Sequence, residues 1–103
     1  MTATASAKVE ITHAVGLHAR PSVKFTKLAK TFPATVEMAL AEGGPWIDAK
    51  SIVKVMAAKA PKGTTLYLRA HGEGASEAVA ALVALVTRDF DEAGEGEAHA
   101  RSA

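Results

Sequence analysis

Gly16-Leu17-His18-Ala19-Arg20-Pro21 is the stretch of this chain best equipped for chemistry. It sets a histidine just before a helix-like pattern, with an arginine two residues later and a proline in the first turn. Free imidazole titrates near pH 6.5, so much of it is the neutral, nucleophilic form around pH 7. A helix start presents backbone N–H groups that have no carbonyl partner within the helix. The positive end of the helix dipole lies there too, so it attracts anions. Arginine adds a planar fork of donors that matches phosphate oxygens. These residue types point to His18 as the acceptor of a phosphoryl group, held by the backbone amides of Ala19 and Arg20 and by the Arg20 side chain. Pro21 has no N–H and is well tolerated in a first turn. The residue before a proline is biased away from the helical region, so a slightly irregular Arg20 is expected.

No second constellation competes. His13, His71 and His99 are not spaced as metal ligands, and no metal is expected. Without cysteine, disulfides and thiol chemistry are excluded. Gly72-Glu73-Gly74 is too short for a nucleotide fingerprint, and no GxxxxGK[ST] loop occurs, so no cofactor is expected. No acid/base pair accompanies the histidine, which argues against a free-standing enzyme. Asparagine is absent, which excludes N-glycosylation. A net charge of +1 gives no reason to expect a nucleic-acid partner. No stretch approaches the roughly 20 apolar residues of a membrane span. Met1 to Ala7 contains no apolar signal core. A soluble, cytoplasmic, monomeric protein is the expectation.

The elements that must position His18 follow from periodicity. Lys8 to Thr12 alternates as a half-buried strand. From Ala19 to Phe32 the period becomes helical: Phe25, Leu28, Ala29 and Phe32 form an apolar face, opposite Arg20, Lys24, Lys27 and Lys30. Pro33 ends this helix. Thr35 to Leu40 alternates, with Val36, Met38 and Leu40 on one side. Glu42 to Pro45 turns the chain, and Trp46 to Ala49 returns as a short strand. A second helix is expected from Ser51 to Ala58, a strand from Thr65 to Ala70, and a long helix from Ala75 to Phe90. The domain is expected to span residues 8–91, between a flexible segment 1–7 and a disordered tail 92–103 without large apolar residues. The order β-α-β-β-α-β-α fits an antiparallel sheet with helices on one face. The pattern alone does not separate this from a ferredoxin-like arrangement with an extra helix.

Gly16 to Ser22 resembles the phosphorylation site of the HPr family, the histidine-containing phosphocarriers of the phosphoenolpyruvate-dependent phosphotransferase system. Lys50-Ser51-Ile52-Val53-Lys54-Val55-Met56 resembles that family's regulatory-serine segment, and the element order agrees over about Lys8 to Asp91. The resemblance implies an α+β open-faced sandwich: a four-stranded antiparallel sheet of order 1-4-2-3 with three helices on one face. It also implies a phosphoryl group on Nδ1 of His18 with Arg20 beside it. Enzyme I would donate that group, and a histidine of an enzyme IIA or related domain would receive it. Ser51 would be the target of an HPr kinase/phosphorylase. Two departures stand out: Lys59-Ala60-Pro61 where the family often has a Gly-Leu pair, and a longer hairpin at Glu42 to Pro45. Both are expected to lie away from His18.

Each other candidate also has a purely structural reading. Ser51 suits a helix N-cap. Lys24, Lys27 and Lys30 make either a solvated face or a basic rim that guides an acidic partner. Ile52, Val53, Lys54 and Met56 on the second helix are core and solvent positions or a partner-binding patch. An alternative role is regulatory: a phosphotransfer or interaction protein in a nitrogen-type or dihydroxyacetone-kinase relay, uncoupled from sugar uptake.

Overall fold

Alternation along the strands sorts one antiparallel sheet into a wet face and a dry one. The computed structural model describes residues 3–13 and 16–91. In chain order it contains β1 (Thr4–Glu10), α1 (Ala19–Lys30), β2 (Thr35–Ala39), β3 (Ile47–Asp48), α2 (Ile52–Ala58), β4 (Thr65–His71) and α3 (Ala75–Thr87), followed by a short 3-10 turn at Asp89–Asp91. The tail expected at 92–103 lies outside the described residues. The sheet order is β1-β4-β2-β3, the order the resemblance implied. Thr4 faces His71 and Glu10 faces Thr65 across β1 and β4, while β2 pairs with β4 from Thr35↔His71 to Ala39↔Tyr67. Thr4, Ser6, Lys8 and Glu10 point to water, and Ala5, Ala7 and Val9 pack against the core.

That core joins Ile11, just past β1, and Val36, Met38, Leu66 and Leu68 of the sheet to Phe25 of α1, Val55 of α2 and Leu82 and Val86 of α3, all at most 1% exposed. Burying each such side chain stabilises the fold by about 1.5–3 kcal/mol. The sheet can shed one face of water only because the helices cover it. α3 packs on β1, β4 and β2, and α1 lies against α2 and α3.

Several boundaries differ from the sequence expectations. Thr4 to Ala7 belong to β1 and are not a flexible segment, because Ala5 and Ala7 pair with Ala70 and Leu68. β1 closes at Glu10, although Ile11 stays buried and its N–H donates to the Thr64 carbonyl at 2.9 Å. Leu40 falls past the end of β2 and is 36% exposed, so it does not share the face of Val36 and Met38. β3 is only two residues long. α1 ends at Lys30, two residues short of Phe32.

The long helix also stops early, at Thr87. Asp89, Phe90 and Asp91 all have positive φ, at 54°, 58° and 61°. This left-handed turn, unusual for residues with a side chain, carries the fully buried Phe90 into the core by a route no helix follows. It is secured on three sides. The Thr12 hydroxyl donates to the Asp89 carboxylate, Lys24 Nζ donates to the Phe90 carbonyl at 3.1 Å, and Arg88 pairs with Asp91 at 2.7 Å.

Candidate functional site

The chain approaches α1 through a tightly fastened loop. Gly16 has φ +68° and lies flat against the link between α2 and β4: a Cβ there would sit 2.3 Å from the Ala60 carbonyl oxygen. Only glycine fits both the conformation and the approach. The N–H of Leu17 then donates to the same Ala60 oxygen at 2.8 Å, and the Leu17 side chain is buried. One residue later, the N–H of His18 folds back onto the Gly16 carbonyl at 2.8 Å. An anchored leucine thus fixes the backbone on one side of the histidine.

The helix fixes it on the other. His18 is the N-cap of α1, with extended backbone (φ −92°, ψ −172°), and its carbonyl accepts the first helical bond, from Ser22 N–H at 2.9 Å. Its imidazole makes no capping bond to the helix, and the residue is exposed. Ala19 and Arg20 begin the helix, where an N–H has no intrahelical acceptor, and Pro21 contributes no N–H. No acidic residue stands in this first turn. An incoming anion therefore meets a positive dipole end whose own first turn carries no carboxylate, an effect of about 0.3–1 kcal/mol at an exposed site.

His18 also opens onto a hollow of about 370 Å³ lined by Leu17, Ala19, Met56, Lys59, Ala60 and Pro61. The expectation that the Lys59-Ala60-Pro61 departure lies away from His18 is therefore wrong: those residues form the far wall of its hollow. Spacing along the chain could not reveal this, because the contact depends on how the α2–β4 link crosses the loop before α1.

The remaining candidates separate. Arg20 is exposed on the first turn. The three lysines run away from the site: at 1.5 Å per residue, Lys30 lies about 15 Å along the axis from Arg20. Lys24 holds the Phe90 carbonyl, while Lys27 and Lys30 sit in the last turn, where cations favour the negative end of the dipole. Ser51 is the N-cap of α2, its hydroxyl accepting from Lys54 N–H at 3.3 Å. On α2, Val53 is 73% and Met56 41% exposed, Lys54 is exposed and Ile52 half-buried. Only Met56 of this group also lines the hollow of His18. Sequence reasoning passed over Val23, which is 43% exposed on α1 although it is apolar. Its position off the stripe of Phe25 and Ala29 was the available signal.

His13 is buried with its ring edge-on to Phe90 at 5.8 Å, a packing role. Among the described residues no group of His, Asp or Glu is arranged to hold a metal, and no helix is long and apolar enough to cross a membrane.

Comparison with known proteins shows the family and the fold. Residues 5–88 match the family model described as the PTS HPr component phosphorylation site. The chain is 41% identical over 85 residues to phosphocarrier protein HPr of Pseudomonas putida, covering 82% of this chain and 93% of that one. It is 36% identical over 89 residues to phosphocarrier protein NPr of Escherichia coli, covering 86% and 98%. The crystal structure of HPr-C-His from Thermoanaerobacter tengcongensis superposes with a TM-score of 0.78 at 31% identity, over 84% of this chain and 96% of that one.

Proposed function

Because this chain belongs to the HPr/NPr family of phosphocarrier proteins, we propose that His18 accepts a phosphoryl group from phosphorylated enzyme I and hands it to an enzyme IIA-type histidine. The Nδ1 lone pair forms a bond to phosphorus as the bond from phosphorus to the donor breaks, and the donor leaves with its electron pair. Onward transfer repeats the exchange with His18 as the leaving group. The observation that carries this reading is an exposed imidazole at a helix N-cap that spends no hydrogen bond on capping. The first-turn amides and the Arg20 guanidinium hold the phosphoryl oxygens. A hydrogen bond to such a charged group contributes about 1.5–3 kcal/mol. That is enough to hold the group and little enough to release it. Partners supply the rest of the reacting surface, so this chain acts as a carrier and not as a free-standing enzyme.

Val53 and Met56, with Ile52 and Lys54, form an apolar and basic patch for those partners, while Lys24, Lys27 and Lys30 give α1 a separate basic face that guides an acidic partner. Ser51, modified by an HPr kinase/phosphorylase, would bring roughly two negative charges to that patch and oppose an acidic partner. Incubation with enzyme I and labelled phosphoenolpyruvate gives acid-labile label in the wild type and none in His18→Ala. Label that survives this substitution refutes the assignment. The 36% identity to an NPr over most of the chain favours a second reading, a regulatory relay of the nitrogen type. Transfer from charged protein to sugar-type and nitrogen-type acceptor domains, measured side by side, decides between them.

A further inference from the structure

Lys59 holds a backbone conformation that side chains seldom adopt. It caps the C-terminus of α2 at φ 52°, ψ 44°, in the left-handed region, with its N–H donating to the Met56 carbonyl at 3.2 Å. Glycine is the usual occupant of such a cap, since any Cβ makes it less stable. Residues held in sparsely populated conformations gather at functional sites. Here the strained residue is also a cation on the wall of the hollow that His18 shares. The other lining residues besides His18, Leu17, Ala19, Met56, Ala60 and Pro61, are all apolar, and among the described residues no carboxylate lines the hollow to attract the ammonium elsewhere. The first turn of α1 adds none.

We infer that Lys59 is a phosphoryl-binding residue: its ammonium reaches across the hollow to the group carried on His18 and stabilises the phosphorylated form of the protein. This rests on the function proposed above. An α2 that ended in glycine would build the same cap without strain and would leave the phosphoryl group one cation poorer.

The test is the equilibrium distribution of phosphoryl groups between full-length protein and a fixed pool of enzyme I charged with limiting phosphoenolpyruvate. An equilibrium does not respond to docking rates, so a lysine that only guided partners would not move it. Lys59→Arg should match the wild type. Lys59→Gln and Lys59→Gly should each lose about two- to five-fold in the phosphorylated ratio, the weight of one solvent-exposed ion pair. The deficit should shrink in about 0.5 M salt. Lys59→Gly is the control for backbone strain, because it removes charge and strain together. A wild-type ratio in Lys59→Gln, or an equal loss in Lys59→Arg, overturns the inference. If wild-type protein takes no label on His18, the functional reading itself fails; normal wild-type labelling beside an unaltered Lys59→Gln removes only the role of Lys59.

Discussion

Gly16→Ala tests whether the loop before His18 is held by contact or only by conformation, and Gly63→Ala supplies the comparison. Both glycines have positive φ, +68° and +93°. A Cβ on Gly63 meets nothing within 4 Å, whereas on Gly16 it meets backbone atoms: Ala60 O at 2.3 Å, Pro61 Cα at 2.8 Å and Pro61 C at 2.9 Å. Alanine at Gly63 thus incurs the left-handed penalty alone, about 1–2 kcal/mol. At Gly16 the added methyl must also push the Ala60 carbonyl away and break its 2.8 Å bond from Leu17 N–H. Ala60 is 1% exposed, so no water replaces that donor. A buried group left unpaired adds about 1–3 kcal/mol. Gly16→Ala should therefore destabilise by about 2–5 kcal/mol, a large share of the 5–15 typical of a small domain. Urea unfolding measures both variants, with an unchanged slope showing that the denatured state is the same. Phosphoryl uptake under folding conditions should fall further in Gly16→Ala than in Gly63→Ala, since the loop leads directly into His18. Equal midpoints for the two variants would show that the link gives way freely, and would refute the claim that it positions the histidine.

Three further outcomes follow from the helix ends. Ser51→Ala removes the cap of α2 and should lower stability by about 0.5–2 kcal/mol in a urea titration, leaving uptake at His18 intact. Ser51→Asp should keep the cap but slow transfer from enzyme I by placing charge in the docking patch. The hydrogen bond from Arg88 holds the Asp91 carboxyl below its ordinary range, and the nearby positive charges of Arg88 and Lys24 add to this. The group binds its proton less readily when folded, so its contribution is present above the unfolded value near 3.9 and is lost as pH falls through the lower folded value. Asp91 is exposed, so the stability gap between wild type and Asp91→Asn should be small near neutrality. It should close in acid unfolding curves below about pH 4, and a gap that widened there would contradict this sign.

The parts of the fold written in strong contrast were legible. Phe25 and Ala29 against the lysines of α1 give a helix with one possible inner face, and Val36, Met38, Leu66 and Leu68 alternate as buried strand residues must. The start of β1 was not legible, because Thr-Ala-Ser-Ala offers almost no difference in hydropathy between its faces; only pairing with β4 reveals the strand. Phe90 falls in helical register with Val86, so periodicity ran α3 on to it. The chain instead reverses hand and delivers the same ring to the same core. At the site, the residue types of Gly16 to Pro21 announced a histidine at a helix start, and His18 is the N-cap of α1. The hollow did not appear, since Lys59 to Pro61 join it through a crossing about forty residues further along. Ser51 was open to two readings, and its observed cap bond fulfils the structural one without excluding the other.

The central position of β4 carries a consequence for how the molecule is made. β1 and β2, synthesised first, have no mutual pairing and must wait for Thr65–His71 to emerge between them. Leu17 likewise waits for the Ala60 carbonyl. A nascent chain that has reached Arg20 already carries the His18 and Arg20 side chains but lacks the contacts that position them. Non-local pairing of this kind makes folding slower than for helical bundles of equal size. The sheet and the loop before His18 therefore take shape together, once the second half of the chain is in place.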